Sequence, residues 1–361
     1  MAGASMLTPA ITADTVRNTA RECGFDLVGV VPAAEIADFA RFRSWADRGL
    51  AGQMRYLTDR RGDLRHHPEE LLPGLRSVIC VGLVYNGPEP NSTQLSPPER
   101  AWISRYAWGE DYHDVLREKL EAMASKLLEK KAMQYRACVD TAPLLERSLA
   151  RAAGLGWIGK NTCLISQQLG SWFFLGELLT TLELEPDAAP VPDRCGSCTR
   201  CIDACPTAAI VPSPHGRFEL DARRCISYFT IELRGTLPEE HRTGIGHNIF
   251  GCDICQDVCP WNRKAALTRE PAFAPGEVAP PLDRMAALSE SEFRALFRRT
   301  PVSRARYSGF LRNVAVAMGN SGLAKFREPL AKLAASPDAV VAEHARWALE
   351  RLPLDPAPSG A

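Results

Sequence analysis

A run of closely spaced cysteines limits the folds open to this chain more than any other feature of its sequence. The segment CGSCTRCIDACP brings Cys195, Cys198, Cys201 and Cys205 into one short loop, with Pro206 directly behind. A single thiol is usually a small hydrophobic group in a core. Four thiols at this spacing instead indicate that the loop wraps around a bound metal centre.

A second, looser cysteine set repeats the end of the first. GCDICQDVCP also closes with a cysteine and a proline, and Cys225 takes the place of its missing first cysteine. The C-x2-C-x2-C-x3-C-P spacing is the bacterial ferredoxin run, whose fourth cysteine binds the other cluster. The eight cysteines therefore predict two [4Fe–4S] clusters with crossed ligation. One cluster would take Cys195, Cys198, Cys201 and Cys259, and the other Cys205, Cys225, Cys252 and Cys255.

Structural zinc is the alternative, because it also uses C-x2-C pairs. Zinc sites usually contain two such pairs, whereas this chain has two C-x3-C-P endings and eight interleaved thiols, so iron is favoured. The other four of the twelve cysteines lie in apolar stretches, and we expect them to pack in cores. They are Cys23, Cys80, Cys138 and Cys163.

Composition places few limits on the partners of this chain. The formal net charge of zero excludes a global field for nucleic acid or membrane, so any such surface must be local. The first twelve residues lack a basic start followed by an apolar run, and no apolar stretch approaches membrane-span length. We expect a soluble, cytoplasmic monomer whose cysteines serve metal or redox chemistry rather than disulfides.

Two proline-rich segments divide the 361 residues into three predicted domains. EPDAAPVPD separates a domain at 1–188 from the cysteine region at 189–270, and EPAFAPGEVAPP precedes a helical domain at 271–361. The predicted class is α+β, with an N-terminal α/β domain followed by a ferredoxin-like domain. Two similar segments, LRNVAVAMGNSG and EHARWALERL, suggest HEAT-type hairpins in the last domain, although two ordinary amphipathic helices would read the same way.

Helix and strand patterns alternate in the first domain. Buried-strand patterns occur at 27–31 and 76–85, and SWFFLGELLTTLEL is mostly strand-like. A long charged helix is predicted at 112–131. YRACVD is a strand that ends at Asp140, and a helix is predicted at 143–155. A carboxylate between a strand and a helix is often only a helix cap, but strand ends are also where α/β enzymes place their chemistry.

The glycine-rich segment GLGWIGKN follows that helix and ends near Lys160. Its glycines would let backbone approach a ligand closely. Its spacing matches neither a Walker loop nor a Rossmann fingerprint, which makes a nucleotide cradle of either kind a poor interpretation.

Four long motifs together resemble the epoxyqueuosine reductase family: VDTAPLLERSLARAAGLGWIGKNTCLI, the tandem cysteines, CISYFTIELRGTLPEEHRTGIG and IFGCDICQDVCPWN. The resemblance runs from about Asp14 into the C-terminal helices. Ala142, Cys163 and Ile254 stand where relatives are expected to have Gly, Leu and Asp.

This resemblance implies reduction of an epoxide on a modified guanine at the wobble position of a tRNA anticodon. It implies a cobalamin bound by the N-terminal domain, as in reductive dehalogenases, and two [4Fe–4S] clusters fed by an external donor such as a flavodoxin or ferredoxin. Asp140 matches the catalytic acid, and partial desolvation would raise its pKa. The candidate cofactor-binding residues are Arg61, Asp140, Arg147, Gly159, Lys160 and Ser227. A solvated surface role is the rival for Arg147.

Cobalamin proteins that supply a lower histidine ligand often use D-x-H-x-x-G. DYHDVL contains Asp111 and His113 but no glycine at the required position, and Asp111 also suits a helix cap. We therefore expect no protein histidine beneath the cobalt.

A neutral protein needs concentrated positive charge to bind tRNA. RALFRRTPVSRARYSGFLR carries six arginines and no acid, and Tyr307 within it could stack on an unpaired base. The arginines are Arg294, Arg298, Arg299, Arg304, Arg306 and Arg312. A second candidate surface comprises Arg234, Arg242, Arg263 and Lys264. A solvated basic face is the alternative in both cases.

Two other functions fit parts of the sequence. A reductive dehalogenase would share the corrin and clusters but needs no nucleic-acid surface. A non-catalytic electron carrier would bind iron without corrin or tRNA, but it needs neither the upstream nor the downstream domain.

Overall fold

A computed structural model describes residues 11–354, apart from 35, 96, 188 and 189. The predicted domain boundary at 188–189 and most of the first twelve residues, where no signal peptide is predicted, therefore lie outside the described residues. Within them, no helix combines the length and apolar character needed to cross a membrane.

The strands are β1 Leu27–Pro32, β2 Ser77–Val84, β3 Trp102–Ile103, β4 Tyr135–Cys138, β5 Trp157–Ile158, β6 Leu164–Ile165, β7 Phe173–Thr180, β8 Ile210–Pro212, β9 Phe218–Leu220 and β10 Asn248–Phe250. The α-helices are α1 Ala13–Glu22, α2 Phe39–Asp47, α3 Arg60–Leu64, α4 Tyr112–Leu128, α5 Glu146–Ala152, α6 Arg200–Asp203, α7 Glu239–Arg242, α8 Ile254–Asp257, α9 Leu282–Ala287, α10 Glu290–Leu296, α11 Arg306–Ser321, α12 Arg327–Ala334 and α13 Ala339–Arg351.

The N-terminal half is built on one sheet of four strands in the order β1-β2-β7-β4. All three pairings are antiparallel, as α+β requires, so the α/β description of the N-terminal domain is wrong. The two central strands, β2 and β7, are mostly apolar and almost wholly buried because both faces of the sheet are covered. Residues of α1 and α4 pack on one face, and those of α5 pack on the other.

The C-terminal helices share a core with the cysteine region. Phe310 and Val314 of α11 belong to the same buried cluster as Phe229 and Phe250. α11 and α12 both pack on α13, and a Cβ at Gly319 of α11 would lie 2.8 Å from the Cα of Ala348. The close approach of α11 and α13 therefore requires the glycine. The HEAT-type repeat stays a prediction.

Candidate active site

A cavity of about 790 Å³ opens between the N-terminal sheet, the cysteine region and the loop before α11. Aromatic rings make up much of its lining: Phe42, Trp45, Tyr56, Tyr106, Tyr112, Phe218 and Tyr228. Ionisable groups from three parts of the chain meet among them, since Asp140, Lys160 and Arg304 all line the same space.

Asp140 occupies a strained turn just beyond β4. Its φ of 52° lies in the left-handed region, and the Thr141 N–H donates to the Val139 carbonyl oxygen at 2.5 Å across it. Helix α5 starts only at Glu146, with Leu145 as its N-cap. The helix-cap interpretation of Asp140 is therefore wrong. The Asp140 side chain, 49% exposed, instead faces the cavity.

Two cationic groups flank the Asp140 carboxylate. Its Oδ2 lies 3.2 Å from His113 Nε2 and 3.7 Å from an Arg304 guanidinium nitrogen. His113 is buried, and its Nδ1 lies 2.7 Å from Asp111 Oδ1. Asp111, His113 and Asp140 therefore form a continuous hydrogen-bonded chain into the cavity.

This chain changes the expected acidity of Asp140. Burial works to raise the pKa of Asp140, but the hydrogen bond and charge of His113, with the charge of Arg304, outweigh it and lower that pKa. The expectation that the pKa of Asp140 is raised is therefore wrong. Burial works to lower the pKa of His113, but its bonds to Asp111 and Asp140 raise it overall. Both directions favour a proton on His113 over one on Asp140, and the Arg304 guanidinium, 2.6 Å from His113 Nε2, opposes that proton.

Charge interactions between thiols occur within each of the two predicted cysteine groups. After burial, the charges of Cys259, Cys195 and Cys198 raise the pKa of Cys201 to about 11. In the other group, burial and then the charges of Cys225 and Cys205 raise the pKa of Cys252. Charge coupling of this kind requires proximity, which is compatible with crossed ligation, and the ligand assignment stays a prediction.

No three His, Cys, Asp or Glu side chains in the described chain are gathered closely enough to hold a single metal ion. The thiols that hold a cubane bind four separate corners, so they lie farther apart than the ligands of one ion.

Both cysteine groups adjoin the cavity. Cys225 lines it directly. Lys160 also lines it, and its Nζ donates to the carbonyl oxygens of Gly196 and Cys198 at 2.8 and 2.9 Å. Lys160 therefore fixes the first cysteine loop against the cavity wall, a contact that its sequence position alone does not indicate.

Most of the predicted cofactor contacts lie where a cavity ligand could reach them. Arg147, Gly159, Lys160 and Ser227 join Asp140 in the lining. Arg61 does not line the cavity. It is exposed and pairs with Asp59, while Arg65, one helical turn later, lines the cavity instead.

Of the four thiols assigned to cores, Cys80 and Cys138 are buried as predicted. Cys23 and Cys163 are only half-buried. A hydrogen bond to the Cys255 thiol lowers the pKa of Cys163 despite its burial, so Cys163 lies beside the second cysteine group rather than in a plain core.

The predicted arginine surfaces are only partly available for binding. Arg298, Arg299 and Arg306 are exposed, while Arg304 is half-buried in the cavity wall. Arg312 is 1% exposed and donates to backbone carbonyls, including that of Phe229 at 2.5 Å. Its predicted tRNA contact is wrong, because its charge is used to join α11 to the cysteine region.

Burial also makes one member of the second candidate surface unavailable for binding. Arg242 is buried against Glu343 at 2.5 Å. Arg234, Arg263 and Lys264 are exposed. Tyr307 is half-buried, and its hydroxyl donates to the Leu288 carbonyl oxygen at 2.6 Å, so this side chain is engaged in packing.

Hydrogen bonds connect two of the exposed arginines to the segments that carry His113 and Arg304. Asp111 donates its N–H to the Arg299 carbonyl oxygen at 2.7 Å, and Arg234 donates to the Arg304 carbonyl oxygen at 3.0 Å. Burial and the nearby charge of Arg306 lower the pKa of Arg234. Positive charge is therefore crowded at the edge of the cavity.

Known proteins with this arrangement identify its family. The QueG epoxyqueuosine reductase family model matches residues 65–141, and the 4Fe-4S double cluster binding domain matches 194–262. The epoxyqueuosine reductase of Xanthomonas campestris is 44% identical over 348 residues, which cover 94% of this chain and 96% of that protein. The chain belongs to the epoxyqueuosine reductase family.

Solved structures agree with this family. A crystal structure of epoxyqueuosine reductase with an epoxyqueuosine-modified tRNA-Tyr stem loop has a TM-score of 0.85 at 32% identity, covering 94% of this chain and 89% of that one. A Bacillus subtilis epoxyqueuosine reductase, described with its catalytic aspartate loop swung out of the active site, has a TM-score of 0.75 at 29% identity, covering 94% and 98%. As a member of the epoxyqueuosine reductase family, the chain is an oxidoreductase of tRNA modification with a double-cluster domain. The dehalogenase and electron-carrier hypotheses are therefore wrong.

Proposed function

We propose that this oxidoreductase converts epoxyqueuosine to queuosine at the wobble position of tRNA anticodons, with cobalamin in the cavity and Asp140 as the proton donor. The observation that carries the proposal is the meeting of three elements around one cavity. Asp140 lies on its sheet side, Cys225 on its cysteine side, and the arginine-rich loop at its edge.

The lining fits a large cofactor with apolar and amide surfaces. The volume lies within the range of cofactor sites, and the aromatic rings would pack against a corrin. The Nε of Arg151, a cavity-lining residue, is buried without a hydrogen-bond partner, as expected of a group that meets a polar ligand. Ser227 and Arg147 supply further donors to the same space. When bound, cobalamin would supply low-valent cobalt for carbon–oxygen bond cleavage.

Removal of an epoxide oxygen as water consumes two electrons and two protons. The Asp111–His113–Asp140 chain can hold a proton on His113 and pass it through the Asp140 carboxyl to an oxygen in the cavity. Both His113 nitrogens are engaged by carboxylates, which supports the expectation that this histidine does not bind cobalt.

The tRNA backbone would be held at the cavity edge. Arg298 and Arg306 are exposed, and no ion pair to either is found among the described residues. Arg299 is exposed but pairs with Glu110 at 2.8 Å. Arginines on this loop would bind phosphates while the modified base enters beside Asp140.

The test is anaerobic single turnover of an epoxyqueuosine-containing stem loop with reconstituted, reduced protein. Mass spectrometry of the nucleoside should show loss of one oxygen when cobalamin is present and no loss when it is omitted. Conversion without cobalamin, or no conversion with full iron and cobalt content, would contradict the proposal.

A further inference from the structure

Two glutamates lie next to Asp140, and the proposed proton transfer uses neither: Glu146 is half-buried at the cavity wall, and Glu177 is fully buried. Glu177 in the central strand β7 is 0% exposed. Its register partners are Cys80 on β2 and Cys138 on β4, both buried thiols. The group within hydrogen-bonding reach of its carboxyl is the side chain of Glu146, at the start of α5.

The hydrogen bonds of this pair leave room for only one negative charge. Among the described residues, no N–H or O–H reaches either oxygen of Glu177. A buried carboxylate without a donor is very unfavourable, so a proton must lie between the two glutamates. Burial and the charge of Asp140 raise the pKa of Glu146 to about 7, and burial with the charge of Glu146 raises that of Glu177 well above its usual value.

Glu146 connects this pair to the strained turn. Its Oε1 accepts the backbone N–H of Asp140 at 2.5 Å. That N–H belongs to the residue with the positive φ, so the Glu146 carboxylate stabilises a conformation that a non-glycine residue otherwise avoids. A proton on Glu177 leaves Glu146 free to act as this acceptor.

We propose that Glu146 and Glu177 share one proton and together position the Asp140 turn for catalysis. The inference rests on the proposed function, because it concerns the geometry of the proposed acid. Glu146 and Glu177 are positioning residues, since they act through the backbone N–H of Asp140.

The charged and titratable groups that face the pair are few. Asp140 lies on the turn, Arg147 follows Glu146 on α5, and the thiols of Cys80 and Cys138 flank Glu177. Arg147 favours an ionised Glu146, whereas Asp140 opposes ionisation of both glutamates. Loss of the shared proton at alkaline pH would place a second negative charge behind Asp140 and loosen the turn.

Two substitutions separate the roles of the pair. Glu146→Ala removes the acceptor and should lower the single-turnover rate about 10- to 100-fold, as misplacement of a catalytic group does, without changing the affinity for the stem loop. Glu177→Gln replaces the shared proton with an amide N–H that cannot be titrated away. It should keep most of the rate at neutral pH and lose less of it at alkaline pH than the parent does. Glu183→Gln, at an exposed position, is the matched control.

An infrared measurement tests the shared proton without turnover. The parent protein should show the carbonyl stretch of a protonated carboxyl at neutral pH, and Glu177→Gln should lack it. Absence of this band in the parent, equal pH profiles for parent and Glu177→Gln, or a parent-like rate in Glu146→Ala would each overturn the positioning pair. If the parent converts no stem loop, the proposed function fails, and the infrared band alone decides whether the pair shares a proton.

Discussion

On the sheet side of the cavity, Asp140 is placed by hydrogen bonds and charges, whereas on the cysteine side the thiols are placed by short backbone loops. Asp140 depends on His113, Arg304 and the Glu146 carboxylate. The first cysteine loop is held by its own backbone and by Lys160. The sheet side should therefore respond to changes in charge and pH, and the cysteine side should respond mainly to loss of a ligand.

The largest effect on activity and iron content is expected when one predicted ligand sulfur is replaced by oxygen. Cys255→Ser should remove one cluster, lowering the iron content from about eight to about four per chain, and should abolish turnover. Cys23→Ser, at a half-buried thiol outside both groups, should keep the iron and the activity. Iron analysis and visible absorbance check both variants. Full iron content in Cys255→Ser would contradict the assignment of Cys255 as a cluster ligand.

Removal of one positive charge from the sheet side should alter acidity without altering iron. Because the Arg304 charge helps to lower the pKa of Asp140, Arg304→Met should raise that pKa. The rate at saturating stem loop should therefore decline at a higher pH than in the parent. Arg298→Met, a change to an exposed arginine of the same loop, should leave this midpoint in place. Identical pH profiles for parent and Arg304→Met would show that charge does not tune Asp140.

The cavity edge should show a smaller, salt-dependent effect. Arg298→Glu combined with Arg306→Glu should weaken stem-loop binding about 10-fold at low salt and reduce the slope of log affinity against log salt by about 1–2. Lys332→Glu, at an exposed position of α12, is the control. Binding titrations at several salt concentrations supply the slopes. An unchanged slope in the double variant would exclude this loop as the phosphate contact.

The smallest expected effect concerns stability. The raised pKa values of Glu146 and Glu177 mean that the folded state holds protons that the unfolded state releases. The free energy of unfolding should therefore fall as pH rises from the ordinary glutamate value through about 7. Glu177→Gln should make this fall smaller, as measured by denaturant unfolding at pH 5 and pH 8. If the free energy of unfolding depended on pH in the same way in the parent and in Glu177→Gln, Glu177 would not hold a proton in the folded state.

The difference between the two sides also explains what could be predicted from the sequence. The cysteine groups were predictable because ligand spacing along the chain is itself the signal, and the strand patterns around β2 and β7 were predictable from their apolar runs. The antiparallel order of the sheet depends on pairing between distant segments, so the α/β expectation failed.

The surroundings of Asp140 were hidden for the same reason. His113 and Arg304 are far from it in sequence, and their charges reverse the expected shift of its pKa. The DYHDVL segment indicated His113 only as a candidate metal ligand, which the sequence analysis rejected, and not as a partner of a carboxylate. Arg312 resembled its exposed neighbours in a basic run, and only the shared core of α11 and the cysteine region explains its burial.

The most direct test of the account is single turnover by Asp140→Asn with full iron and cobalt content. Asparagine keeps the shape of the side chain and its backbone N–H to Glu146 but cannot carry the proton, so the rate of oxygen loss from the stem loop should fall about 10²–10⁴-fold. Cluster spectra, cobalamin content and stem-loop affinity should match the parent. An Asp140→Asn variant that removes the oxygen at the parental rate would contradict the role of Asp140 as the proton donor.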